Sequence, residues 1–169
     1  EIRDGQVIGD PTEAALYVLA EKGGLDVRQF QKNNPRIASI PFDSDYKFMA
    51  TFHRMKDASR KEIVRAYVKG APDVILTHSS YSLWPDGTAH ELTEAHRNIF
   101  LLENERIARG GLRVLAFAQR DFDPASFDPK ADHIPLMQDL VITALVGEVD
   151  PPRAEAKDSI AKAKCAGIR

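Results

Sequence analysis

Two alternating runs, Phe48 to Met55 and Ile63 to Lys69, are separated only by the charged stretch around Lys56 to Lys61. Side chains on a strand alternate between faces, so each run carries one apolar and one mixed face. Strands joined by so short a polar turn pair with each other as an antiparallel hairpin. A largely antiparallel sheet follows, with the helical segments packed outside it, giving an α/β (α+β) chain.

The remaining segments fill in around that hairpin. Asp10-Pro11-Thr12-Glu13 reads as a helix start, with Asp10 as N-cap, Pro11 at the first helical position and Glu13 completing a capping box. Ala15, Leu16, Leu19 and Ala20 recur at helical spacing until Gly23-Gly24 stops the run. A shorter helix is predicted over Asp26 to Asn33, then an extended segment from Arg36 to Pro41 leading into a polar loop that holds Phe42. Lys69-Gly70-Ala71-Pro72 is a turn that opens a short helix to about Thr77, and Trp84-Pro85-Asp86-Gly87 is another turn. Thr93 to Arg109 is predicted as a long helix with Ala95, Ile99 and Leu102 on its inner face. Leu112 to Arg120 and Asp139 to Val149 read as strands. The stretch between them, Asp121 to Pro135, is rich in Asp and Pro and reads as a surface excursion. Ala154 to Ala166 is helical again.

Composition removes several classes of function. At 169 residues the chain fits one domain, which can bury roughly 70% of its unfolded surface without disulfide or metal. Its single cysteine, Cys165, excludes an internal disulfide and fits a reducing compartment. There is no bilayer-spanning run and no signal-peptide pattern. Basic and acidic residues number 23 and 25, for a net charge of −2, so the chain lacks the positive excess of a nucleic-acid binder. The five histidines are scattered with no i, i+4 pair, so no metal site is expected. The common phosphate loops and the nucleophile elbow are also missing.

What remains is a set of separated residues whose strand phases agree. Arg113, Leu115 and Phe117 share one strand face; Lys69 shares one with Tyr67 and Arg65, and Lys47 with Met49, Thr51 and His53. An arginine beside a leucine suits contact with a flat ring and an anion side by side. Phe42 could stack a nucleobase while the cations hold phosphates. Each residue also has a plainer role: Glu13 as a cap, Phe42 as core, Lys47 and Lys69 as solvated strand lysines, Gly70 as part of a corner.

Five motifs occur in order: Gly9-Asp10-Pro11-Thr12-Glu13-Ala14-Ala15-Leu16, Pro41-Phe42-Asp43-Ser44-Asp45-Tyr46-Lys47-Phe48-Met49, Val68-Lys69-Gly70-Ala71-Pro72-Asp73, Gly111-Leu112-Arg113-Val114-Leu115-Ala116 and Asp150-Pro151-Pro152-Arg153. Together they closely resemble the cytoplasmic nucleotide-binding domain of P-type cation-transporting ATPases, in the calcium-pump-like branch, over nearly the whole chain. The resemblance implies that domain's fold over 1–149, a hinge at Asp150, Pro151, Pro152 and Arg153, and the start of a phosphorylation domain over 154–169. It implies that Phe42 stacks on adenine and Glu13 approaches the adenine amino group. Lys47, Lys69 and Gly70 would line the pocket, Leu115 would cover the base, and Arg113 would reach the phosphates.

The resemblance further implies an ATP-driven ion translocase as parent, a cytoplasmic domain of an integral membrane protein. Its partners would be ATP and the parent's phosphorylation, actuator and transmembrane domains, with Mg2+ used by the full-length pump and not held here. Calcium is the first expectation for the ion; magnesium, sodium/potassium and protons stay open. The phosphorylation motif Asp-Lys-Thr-Gly-Thr is absent from the sequence, so the fragment itself is expected to bind nucleotide without catalysing transport, with a sheet edge exposed where the family has further upstream strands. Ser44 stands where relatives often place arginine. That departure supports the alternative, an interaction domain that kept the fold and lost the ligand.

Overall fold

The computed structural model describes residues 2–3, 6–7, 11–149 and 155–168. Asp10 and the four hinge positions Asp150, Pro151, Pro152 and Arg153 lie outside the described residues.

In chain order the elements are β1 (Ile2–Arg3), β2 (Gln6–Val7), α1 (Pro11–Lys22), α2 (Val27–Asn33), β3 (Arg36–Asp43), β4 (Phe48–Lys56) and β5 (Glu62–Gly70). There follow α3 (Pro72–Thr77), β6 (Ser79–Leu83), β7 (Ala89–Glu91), α4 (Glu94–Arg109), β8 (Arg113–Phe122), a 3₁₀ turn (Ile134–Leu136), β9 (Leu140–Glu148) and α5 (Ala156–Cys165). β1 and β2 form a small antiparallel ribbon, and the other seven strands form one sheet in the order β3-β4-β5-β8-β9-β6-β7. All pairs in it are antiparallel except β6 with β9.

The expected hairpin is β4–β5, in continuous register from Phe48 opposite Gly70 to Lys56 opposite Glu62. One face of the sheet forms the core. Phe48, Ala50 and Phe52 on β4 meet Val64, Ala66 and Val68 on β5, Ala116 and Ala118 on β8, and Leu140 and Ile142 on β9. Alanine at the middle of three strands leaves room for helices to approach closely, and α3 and α4 pack over β8 and β9 there. Ile75 and Leu76 of α3 are fully buried in that contact. Arg97 of α4 ties the helix down, donating to the carbonyls of Leu76 on α3 and Ser79 at the start of β6.

The structure corrects several sequence expectations. α4 turns His96, Arg97, Phe100 and Ile107 toward the protein, whereas Ala95, Ile99 and Leu102 are exposed. On the inward side Phe100 packs against the core and Arg97 lays its stem inward to reach backbone carbonyls, a role for an arginine that apolar periodicity does not reveal. In α1 it is Ala14 that is buried, and Ala15 and Leu19 are exposed. The excursion after β8 is no bare surface loop. Phe127 and His133 fold back onto Phe52 with ring centroids 5.2 and 4.6 Å away, and close one end of the core. His133 is buried, with Nε2 hydrogen-bonded to the Asp128 carbonyl at 3.1 Å. Phe42 belongs to the end of β3, not to a loop. β6 and β7 were not anticipated, since Ser79-Ser80-Tyr81-Ser82 lacks apolar alternation. Ser79 is nonetheless buried, its hydroxyl satisfied by the Ile75 carbonyl at 2.7 Å.

Candidate functional site

The second face of the sheet is built from the intervening residues. Lys69 on β5 lies between Met49 on β4 and Phe117 on β8, its register partners on either side. Lys69 is only 16% exposed at its side chain, and its ammonium forms an ion pair and hydrogen bond with the carboxylate of Glu13 on α1. That contact joins residues 56 positions apart in sequence and sets the first turn of α1 over this face. A cation so far withdrawn from water needs such a partner, because desolvation penalises an unpaired charge.

β3 approaches the same row through a bulge. Ile40 pairs with Ala50 and Asp43 with Phe48, which leaves Pro41 and Phe42 together opposite Met49. Bulges re-aim side chains at such places. Phe42 is 65% exposed, a large ring outside the core. The turn after β3 is held by Asp43, which accepts from the Asp45 amide at 2.7 Å through its side chain and from the Lys47 amide at 2.8 Å through its carbonyl. Lys47 ends that turn in the left-handed region at φ 56°, a conformation that costs a non-glycine residue about 1–2 kcal/mol.

Gly70 accounts for how this turn docks. A Cβ at Gly70 would lie 2.5 Å from the Lys47 carbonyl oxygen and 2.7 Å from the Phe48 Cβ. The same Lys47 carbonyl accepts from the Ala71 amide at 3.0 Å. Gly70 thus permits the hairpin tip to cross the Lys-Gly-Ala-Pro segment at contact distance, bringing the Lys47 backbone against Gly70 and Ala71.

β5 ends at Gly70, opposite Ala116, while β8 begins three residues earlier at Arg113. Leu115 and Arg113 therefore occupy a length of strand that runs past β5 and is flanked by β9, with Val146 opposite Leu115 and Glu148 opposite Arg113. Leu115 is half-buried and Arg113 exposed. At about 3.4 Å per residue, Phe117, Leu115 and Arg113 are spread over roughly 13 Å along one face. Nearby, α1 and the end of β9 border a cleft of about 670 Å³ whose walls include Ala15, Leu19 and Val146.

The residues thus assembled are an exposed aromatic ring, a half-withdrawn lysine with its carboxylate partner, an apolar wall of Met49, Phe117 and Leu115, and an arginine further along. Such a set can contact a flat apolar ring with polar edges at one end and anionic groups at the other. Met49 and Phe117 were not singled out from the sequence, although strand parity already put them on the faces of Lys47 and Arg113. The far part of the face is polar. There Arg65 makes a two-pronged pair with Asp121 at 2.6 and 2.7 Å, a partner that pushes the arginine pKa still higher. Among the described residues no group of three or more His, Cys, Asp or Glu is placed to hold a metal ion, and no helix is long and apolar enough to cross a membrane.

Comparison with known proteins adds an independent finding. Residues 1–155 match the family model described as P-type ATPase, cytoplasmic domain N. The chain is 36% identical over 167 residues to a calcium-transporting ATPase of Lactococcus lactis, covering 99% of this chain and 18% of that protein. It is 39% identical over 161 residues to a calcium-transporting ATPase of Bacillus cereus, covering 95% and 17% respectively. A cation-transporting ATPase of Synechocystis is 37% identical over 165 residues, 98% of this chain and 17% of its own length. The chain thus spans less than a fifth of the length of these relatives.

Proposed function

The chain belongs to the family of P-type ATPase cytoplasmic N domains, and from that premise we propose that it binds ATP for a longer cation-transporting pump. In this proposal Phe42 stacks on adenine, Glu13 accepts from its amino group, Lys47, Lys69 and Gly70 form the pocket wall, Leu115 covers the ring and Arg113 meets the phosphates. The domain would present the γ-phosphate to an aspartate on a neighbouring domain of the parent chain, where Mg2+ supplies charge neutralisation. Residues 150–153 would be the hinge to that domain and 154–169 its first segment. The parent would be an integral membrane protein with this domain on the cytoplasmic side and, by its relatives' names, calcium as the first candidate ion.

The observation that carries the proposal is the meeting of Lys69 and Glu13 on one sheet face, between Met49 and Phe117. The pair sets a cation and a carboxylate, from residues 56 positions apart, at the edge of an apolar strip of Met49 and Phe117, the polar-edged slot that a base requires. ATP titration followed by amide NMR shifts tests it. Shifts are expected to cluster at Phe42, Lys69 and Arg113. Absence of binding would return the chain to the interaction-domain alternative.

A further inference from the structure

The hairpin tip that carries Phe42 and Lys47 has a second side. Behind it, the β3–β4 turn, α3 and the 3₁₀ turn converge on a cavity of about 500 Å³, within the size range of small-ligand sites. Phe48, Val74 and Ile134 line it with apolar surface, and Tyr46, Asp45 and Asp73 stand among them. The Tyr46 and Phe48 rings lie 6.0 Å apart, tilted at 40°, and Tyr46 is 42% exposed.

Its charge is one-sided. Asp45 and Asp73 both line the cavity, no lysine or arginine does, and neither carboxylate forms an ion pair with a described residue. His78, also in the lining, has its Nδ1 buried without a hydrogen-bond partner in the protein. Buried polar atoms are normally satisfied, so this nitrogen is an unspent acceptor or donor beside the cavity. Carboxylates next to an aromatic face attract cations by charge and by the ring quadrupole together. The apolar lining favours a cation with a flat apolar body over a bare metal ion, which needs several oxygen ligands at once.

We propose that this cavity binds an organic cation of amidinium or guanidinium type, at a site back to back with the nucleotide face and separate from it. Tyr46 and Phe48 contact the apolar body, and Asp45 and Asp73 accept from the charged head. The cation is either a free small molecule or an arginine side chain, since both present the same planar group.

The test uses the whole chain and three probes followed by amide NMR: benzamidine, its neutral isostere benzamide, and N-acetylarginine methylamide. Benzamidine is expected to shift Tyr46, Thr77, His78 and Ile134, and to bind about tenfold more tightly than benzamide. The D45N/D73N double variant should erase that preference, because both side chains line this cavity. The arginine derivative binding as well as benzamidine identifies a side-chain ligand; benzamidine alone binding identifies a small molecule. Equal binding of benzamide, an unchanged preference in D45N/D73N, or shifts at Phe42 and Lys69 abolished by ATP would each overturn the proposal. Because ATP is a separate arm, failure of ATP to bind would count against the nucleotide reading alone.

Discussion

The two faces of one strand are made by different rules. On β5, Val64, Ala66 and Val68 are buried, and their register partners include Phe52 and Ala50 on β4 and Phe122 and Ala118 on β8. Arg65, Tyr67 and Lys69 alternate with them, yet each of these keeps partial contact with water and a particular partner. Arg65 holds Asp121, Tyr67 donates to the Met55 sulfur at 3.6 Å, and Lys69 holds Glu13. The core face is specified by volume, because dispersion and water exclusion act without direction. The opposite face is specified by which group meets which, so its changes should register in binding more than in stability.

The largest effect expected from that contrast is on the core face. Phe52→Ala removes a fully buried ring that touches Phe122, Phe127 and His133. Urea unfolding should show a loss of about 3–5 kcal/mol. A loss under 1 kcal/mol would mean that the segment after β8 is not part of the core.

Gly70→Ala comes next and crosses the divide, since the added methyl meets a backbone carbonyl and a Cβ that cannot swing aside. A cost of about 1–3 kcal/mol is expected. ATP affinity should fall with it, because the displaced groups belong to Lys47 and Phe48. Stability falling with affinity intact would break the link between this glycine and the hairpin tip.

Phe42→Ala should give the converse result. Its ring is mostly exposed, so stability should move by less than about 0.5 kcal/mol, while ATP binding weakens by about 1–3 kcal/mol of stacking. Calorimetry on the same sample reads both.

Smaller still is the Glu13–Lys69 pair. Glu13 is 58% exposed, so solvent screening limits the pair to below about 1 kcal/mol of stability in a double-mutant cycle of Glu13→Gln and Lys69→Met. The same cycle run on ATP affinity should show the larger coupling. Lys47→Gly sharpens the contrast furthest. It relieves a left-handed lysine and should leave stability unchanged or raise it by up to about 1 kcal/mol, as ATP affinity drops.

Much of this was legible from residue order. The β4–β5 hairpin, the start of α3 at Pro72, the long helix ending at Arg109 and the faces of β8 follow from alternation, proline and helical spacing, all local rules. The site residues could be grouped by strand face for the same reason. Other features were not legible. The burial phase of α4 includes an inward Arg97 that reaches the carbonyls of Leu76 on α3 and Ser79 on β6, contacts that no local pattern records. The pairing of β6 with β9 joins Ser79 to Leu140 in parallel, and a serine-rich strand gives no periodic signal for such a partner. His133 was scattered among five histidines until the fold stacked it on Phe127 at 5.0 Å.

By itself the sequence determined the class of fold, the family and the identity of the groups that could act, because those rest on spacing along one chain. Tertiary structure alone decided which of them meet. Lys69, the turn at Lys47 and the Lys-Gly-Ala-Pro corner lost their separate meanings when Glu13 arrived over one face and Asp45 and Asp73 gathered behind the other. Convergence across a sheet depends on register and on how closely backbones can pass. Here, the missing Cβ of Gly70 set that distance.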